Sequence, residues 1–480
     1  MKNALITLCL LAVFVEVSGL FWTGKRDAPN EAFRRLSQPP EVQIDSPLGN
    51  GYFLLLGMAA EASADPVQVG YEIWLEAESH KGHRFFDLEK NGRGTLRVSV
   101  ELSQVLPEWS AADPLTALAR SEAMFRDSME RYQILTRRYE RWLDMPFEDW
   151  GFGHPGSPRP DEIVAAHRLY VADGFQHGPK TGLQHLYRDT AAWRHALKDA
   201  KTLPVKLIAL TIVDENLDLL ARALAQPGAD KQVVALARLM ARGMSAEEAS
   251  LRWPIQHEFA LGLARRSEAL SVDHYVGADD AERTRRHLTA LTGLPDHALA
   301  GVQHPPAKHV LGMALESQRT WDAYATFYEA TIKASETVHS PMPRWSEVNR
   351  ASARTLLESV FNTSEFEPSW EPITQRLMET DARLRLAGLS LVLRQYASHD
   401  KIAEQISMAG PDFFDPFSGL PMLWNAGQAR LYSVGKDGLD DGGDPTFDIV
   451  TAVHLSKEPV QTGPAPKPTR APRPRRPAET

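Results

Sequence analysis

The stretch that decides the fold is Asp113-Pro114-Leu115-Thr116-Ala117-Leu118-Ala119, continuing to Tyr139-Glu140-Arg141-Trp142-Leu143. Along it Leu115, Leu118, Ala119, Met124, Phe125, Met129, Tyr132, Leu135, Tyr139 and Trp142 recur close to every 3.6 residues. That period lines apolar side chains along one face of an α-helix. Pro114 suits a first turn, where a missing N–H costs no hydrogen bond. The spacing predicts one helix from 113 to about 143.

Working toward the C-terminus, similar patterns predict helices at 161–173, 181–199, 203–225, 231–241, 246–266, 280–292, 307–336, 344–361, 370–379 and 382–398. Thr202 and Thr380 read as N-caps, and Pro204 sits where a first-turn proline is harmless. No repeat of fixed period is present, so the fold class is mainly α, an irregular multi-helix bundle rather than a solenoid. Upstream, 23–112 reads as a mixed region. It holds a short helix in 46–64, a second starting at Asp65-Pro66, and a strand at 95–102, where β-branched and polar residues alternate. The body of the bundle spans 113–400.

Beyond the bundle the character changes. Residues 413–423 and 429–434 are short apolar runs, with Trp424-Asn425-Ala426-Gly427 read as the hairpin turn between them. An acidic, glycine-rich loop follows, then a third run at 447–455, giving a small β module over 411–456. Within the loop Asp437, Asp440, Asp441 and Asp444 are closely spaced, with Asp448 just after it. Calcium takes six to eight oxygen ligands, which clustered aspartates in a turn can provide, so the five are expected to hold a structural calcium ion. The plain alternative is a solvated turn with the usual Asp and Gly chemistry. The last segment, 459–480, is rich in Pro and Arg with little to bury and is expected to be disordered. It carries five basic residues against Glu479, a balance of +4, which leaves −13 for the rest of a chain whose net charge is −9. An acidic body excludes nucleic acid as the main partner, because phosphate binding needs a basic face.

The N-terminus sets an address. Lys2 precedes an apolar run at 4–15, and Val17-Ser18-Gly19 could be cleaved as a signal peptide. Read uncleaved, 4–22 is just long enough to cross a bilayer, with Trp22 at the interface. The anchor is the preferred reading. It places the chain in the inner membrane as a single-pass protein with its body in the periplasm. The lone cysteine, Cys9, lies inside this segment, so the exported body has no thiol to oxidise.

The order Asp415-Pro416-Phe417-Ser418-Gly419-Leu420-Pro421, then Leu431-Tyr432-Ser433-Val434-Gly435-Lys436-Asp437-Gly438, then Gly442-Gly443-Asp444 and Phe447-Asp448-Ile449-Val450, resembles the end of the major pseudopilins of type II secretion. There a hairpin and an acidic loop hold calcium. The resemblance covers about forty residues of the 480. Pseudopilins begin with a Gly-Phe-Thr processing site and an early glutamate, and Met1–Trp22 has neither, so the chain is not one of them. The helical body is similar to uncharacterised Gram-negative envelope proteins in Arg137-Arg138-Tyr139-Glu140-Arg141-Trp142-Leu143 and in Trp193-Arg194 through Leu203–Ala209. That family brings no activity.

Other motifs read as structural. Gly151-Phe152-Gly153-His154-Pro155-Gly156 fits a dinucleotide pattern only formally, since a helix precedes it and Pro155 spoils the turn. His257-Glu258 lacks the second histidine of a zinc-protease helix, and the pairs His80/His83 and His304/His309 are spacings that chance supplies. Acidic residues on predicted helices, such as Asp214-Glu215 and Glu247-Glu248, read as solvated faces or caps. Lys206, inside the apolar run 205–213, reads as a snorkelling or ion-paired lysine, or else a perturbed catalytic one. Trp142, Phe147, Trp150 and Phe152 read as packing anchors, with a ligand groove as the alternative.

The expectation is therefore a non-enzymatic, membrane-anchored envelope protein that acts in assembly or interaction with an envelope partner. The alternative is an envelope hydrolase or transferase whose site is assembled from residues distant in sequence.

Overall fold

The computed structural model describes residues 28–79, 96, 106, 109, 114–225, 231–270, 318–336, 342–344, 370–394 and 401–453. The protein is mainly helical, with a small three-stranded antiparallel sheet. It divides into two compact units, Met1–Leu236 with Met244–Thr380 and Ala237–Gly243 with Asp381–Thr480. Among the described residues no helix is long and apolar enough to cross a membrane. The expected anchor at 1–22, the His80/His83 and His304/His309 pairs, the helices at 280–292 and 344–361 and the tail at 459–480 lie outside the described residues, save Arg344.

The first unit begins with α1 (Glu31–Leu36), α2 (Gly51–Leu56) and α3 (Pro66–Ser79). Asn50 caps α2 by accepting from the Tyr52 N–H, as an N-cap side chain should. Of the expected strand at 95–102 only Leu96 is described, its N–H bonding to the Ala59 carbonyl.

The expected helix over 113–143 is three helices: α4 (Pro114–Arg120), α5 (Glu122–Arg131) and α6 (Gln133–Leu143). At the first break the Ser121 hydroxyl competes with the backbone for the Ala117 carbonyl. The breaks re-aim the apolar face. Leu118, Phe125, Leu135, Tyr139 and Trp142 are buried, whereas Met124, on the same expected stripe, is 56% exposed.

Next come α7 (Pro160–Gln176), α8 (Pro179–Asp199) and α9 (Leu203–Ala225). Prolines stand in the first turn of all three, where they are tolerated. Helix α8 packs between α7 and α9, and α6 packs on α7. Their shared core holds Tyr139, Trp142, Leu169, Leu186, Trp193 and Leu210. Trp142 and Trp193 lie with ring centroids 4.5 Å apart.

After α10 (Lys231–Met240), the single helix expected at 246–266 is split into α11 (Ala246–Ala249) and α12 (Arg252–Leu270). Pro254 explains the break. In a continuous helix its ring would clash with the carbonyl of Ser250, four residues back. Helix α13 (Gln318–Ser335) packs on α1 and α12. The two helices expected at 370–379 and 382–398 form one, α14 (Glu371–Leu393). Thr380 is not an N-cap but an interior residue, its hydroxyl 3.0 Å from the Arg376 carbonyl and 2.9 Å from Asp214 Oδ1.

The boundary between the units falls within α14. In the second unit, Leu386, Leu389 and Leu393 of α14 form one cluster with Ile402 and Ile406 of α15 (Ile402–Met408), a helix the periodicity did not reveal. Met422, Leu431 and Val453 of the sheet region complete it. The segment 237–243 joins this unit because Gly388 lets it approach: a Cβ there would stand 2.3 Å from the Ala241 carbonyl oxygen. In the sheet, β2 (Arg430–Ser433) is central, flanked by β1 (Leu423–Asn425) and β3 (Ile449–Ala452). Trp424 pairs with Leu431, so it lies in a strand and not in the turn. The turn is 426–429, closed by Ala429 at φ +50°. Most of 413–422 is a tight loop, not a strand.

Candidate functional site

The acidic loop of the second unit hangs between β2 and β3. Its glycines set its path: Gly435, Gly438, Gly442 and Gly443 all have positive φ, which other residues adopt only at a cost. The five aspartates have different surroundings. Asp437 and Asp444 are exposed, their Oδ1 atoms accepting from the N–H groups of Leu439 and Thr446 in local Asx turns. Asp440 is exposed and accepts from the Tyr432 hydroxyl at 3.0 Å and the Gly442 N–H at 2.9 Å.

Asp448 differs. It is 4% exposed, its Oδ2 accepts from the Gly443 N–H at 2.8 Å, and its Oδ1 is buried with no hydrogen-bond partner. Burial, then the negative charges of Asp441 and Asp440, raise its pKa to about 6, against the opposing pull of backbone N–H groups. The structure thus brings Asp440, Asp441 and Asp448 into mutual electrostatic reach and leaves Asp437 and Asp444 at the rim. Among the described residues no group of three or more His, Cys, Asp or Glu side chains is drawn together as a metal-ligand set.

The loop's foundation is Asp415, which sequence reading passed over as a ligand or an anchor. It is buried, and its carboxylate accepts from the N–H groups of Phe417 and Val434 and from the hydroxyls of Ser418 and Ser433. One side chain therefore ties the 415–421 turn to the end of β2.

The first unit holds a second constellation, assembled from four helices. Asp189 of α8 is fully buried and accepts from the Tyr139 hydroxyl of α6, from His167 Nδ1 of α7 at 3.0 Å and from Asn216 Nδ2 of α9 at 2.6 Å. Trp193 Nε1–H donates to the Tyr139 oxygen. His167 Nε2 lies 3.4 Å from Glu215 Oε2, and Glu215 also takes both arms of Arg168. Burial raises the Glu215 pKa, but hydrogen bonds from Arg168 and His167 win and lower it to about 2. Glu215 is therefore not on a solvated face.

Glu248 is not solvated either. It is 2% exposed, closes the capping box of Ser245 and holds Arg194 through two bonds of 2.7 and 2.8 Å. Lys206 neither snorkels nor reaches solvent. It is fully buried, with Nζ donating to the Leu197 carbonyl at 2.9 Å, and burial lowers its pKa to about 7.

The loop 150–156 is a bracket, not a phosphate cradle. Asp149 accepts from the N–H groups of Gly151, Lys201 and Thr202, so it caps the start of α9 from outside the helix. Thr202 stands at the expected N-cap position, but its hydroxyl points to Asp149. His257 Nδ1 accepts from the Gly153 N–H at 3.0 Å, and His154 Nδ1 accepts from that of Gly156 at 3.1 Å. Trp150 packs edge-on to Phe53 and Trp74, and Phe152 packs on Trp253, so these aromatics serve as packing anchors. Arg138, in the Arg137–Leu143 stretch, is buried and donates to the carbonyls of Met58, Ala60, Glu61 and Ala64.

These features define a mainly helical protein with a charged, sealed core in one unit and an acidic turn on a small sheet in the other. No protein family, curated protein or solved structure matches this chain.

Proposed function

We propose that this protein is a non-enzymatic, membrane-anchored envelope protein whose helical body acts in assembly or interaction and whose C-terminal sheet is fastened by calcium. The carrying observation is Asp448, a buried carboxylate with one unpartnered oxygen beside Asp440 and Asp441. A hard divalent cation there would neutralise the cluster and use that oxygen, with exposed Asp437 and Asp444 near enough in sequence to complete the oxygen set. The anchor rests on the sequence of 4–22. The non-enzymatic reading is supported by where the reactive residue types sit. His167, Asp189 and Lys206 are each 0% exposed, and each is engaged in holding helices together.

Two measurements test the proposal. Calcium at about a hundred times its dissociation constant should stabilise the unit that binds it by roughly 2.7 kcal/mol. Identical melting curves in chelator and in millimolar calcium would remove the cation from the proposal. Fractionation of cells carrying a reporter after Thr480 should place the body outside the inner membrane and attached to it. A full-length soluble cytosolic product would end the envelope reading.

A further inference from the structure

The ring of His167 is bracketed by two carboxylates. Nδ1 lies 3.0 Å from Asp189 Oδ2 and Nε2 lies 3.4 Å from Glu215 Oε2, with the ring fully buried. A neutral imidazole has one N–H and one lone pair, so one of its nitrogens would aim a lone pair at a carboxylate. Nε2 meets Glu215 at ion-pair distance without forming a hydrogen bond, and only the doubly protonated ring puts a positive charge between the two carboxylates. The charges then alternate and cancel: Asp189 negative, His167 positive, Glu215 negative, Arg168 positive. A buried carboxylate without such neutralisation would be costly.

We infer that His167 is held as an imidazolium at neutral pH. Its second proton is a structural component of the first unit, clamping α7 to α8 and α9, and is taken up on folding and released in alkali when the clamp fails. Every packed neighbour of α7 agrees with this arrangement. From α6 the nearest titratable group is Tyr139, its ring centroid 6.5 Å away and its hydroxyl given to Asp189. From α8 it is Asp189, and from α9 Glu215 beside neutral Asn216. From α4 the charged side chain is Arg120, which is exposed. Within α7, Arg168 is turned to Glu215. Burial alone would lower the histidine pKa, but the two carboxylates, Asp189 first, override it and raise it to about 9.

The sign follows from that shift. With a folded pKa above the unfolded value near 6.5, the stabilisation is complete below about pH 6.5 and is lost as pH rises through about 9. Lys206 acts oppositely in the same unit. Its lowered pKa makes the folded state gain stability as pH rises from about 7 toward 10.5. The pH profile of the wild type alone mixes the two, so the histidine must be read directly or by difference.

The experiment is nitrogen NMR of the full chain labelled with 15N-histidine. One ring should show two protonated nitrogens at pH 7.5, titrate near pH 9 and be missing from the H167Q spectrum. Glu215→Gln keeps the Asp189 bond and removes one of the two negative charges beside the ring, so it should lower the titration of that ring by a unit or more, a tenfold change in proton affinity. It also assigns the resonance if H167Q does not fold. The melting temperature of the wild type relative to H167Q should fall across pH 6.5–9. A His167 ring with a single proton at pH 7.5 overturns the inference, as does a titration that E215Q leaves in place.

Discussion

The two units each bring carboxylates together, and they neutralise them differently. Around Asp189 the chain supplies its own answer: three donors converge from neighbouring helices, one of them the His167 imidazole, and beyond that ring Glu215 is met by the Arg168 guanidinium. Around Asp448 the charges that weigh most are those of Asp441 and Asp440, and one oxygen has no hydrogen-bond partner. The comparison teaches that a long-range helical core can import counter-charge from any of its elements. A short loop on a three-stranded sheet has few side chains to draw on, and the backbone N–H groups that face Asp448 offset only part of the charge.

The comparison breaks most visibly at Asp189. Asp189→Ala strips the shared acceptor from Tyr139, His167 and Asn216, so it should cost on the order of 3–5 kcal/mol in denaturant unfolding. A loss below about 1 kcal/mol would mean the network is not a support. Arg138→Met should be next, at about 3 kcal/mol, because the carbonyls of the 58–64 turn lose a buried donor and gain none. In the second unit, Asp448→Asn should abolish the calcium-dependent stabilisation of roughly 2.7 kcal/mol expected at a hundredfold excess over the dissociation constant. Retention of that calcium response would move the ligand set elsewhere. Smallest of all, Asp437→Ala measured in chelator should stay within about 0.5 kcal/mol of wild type, since its side chain is exposed.

An acid limb sharpens the contrast further. Glu215 has its pKa lowered from 4.5 to about 2, so its stabilisation is present above pH 4.5 and fades as pH falls through 2. E215Q should flatten that limb in the first unit without touching the calcium response of the second. Parallel acid profiles for wild type and E215Q would contradict the ion pairing seen around Arg168.

Much of this was legible in the residues, and the illegible part has specific causes. The bounds of α9 were readable because an unbroken apolar pattern starts at a first-turn proline. The single helix expected over 113–143 is broken twice, and at the first break Ser121 diverts a carbonyl, a local competition that leaves no periodic trace. His167 and Asp189 both occupy apolar-stripe positions, three or four residues from Ile163, Tyr170, Leu186 and Trp193. Polar residues interrupting an apolar stripe are the signal in the sequence that marks them. Glu215 looked like a surface charge because its partner Arg168 is 47 residues away. Glu248 is a cap, one of the two readings given for it, and what stayed hidden is its buried ion pair with Arg194, 54 residues away.

By itself the sequence determined the helical class, the approximate bounds of α7, α8, α9 and α10, and the place of the acidic loop. Each of these depends on interactions within a few residues along the chain. Only the tertiary structure decided which charges are buried, which aspartate of the five loses water, and that Lys206 ends against the Leu197 carbonyl. Those outcomes depend on desolvation and on partners brought together by packing, and neither is a property of local order along the chain.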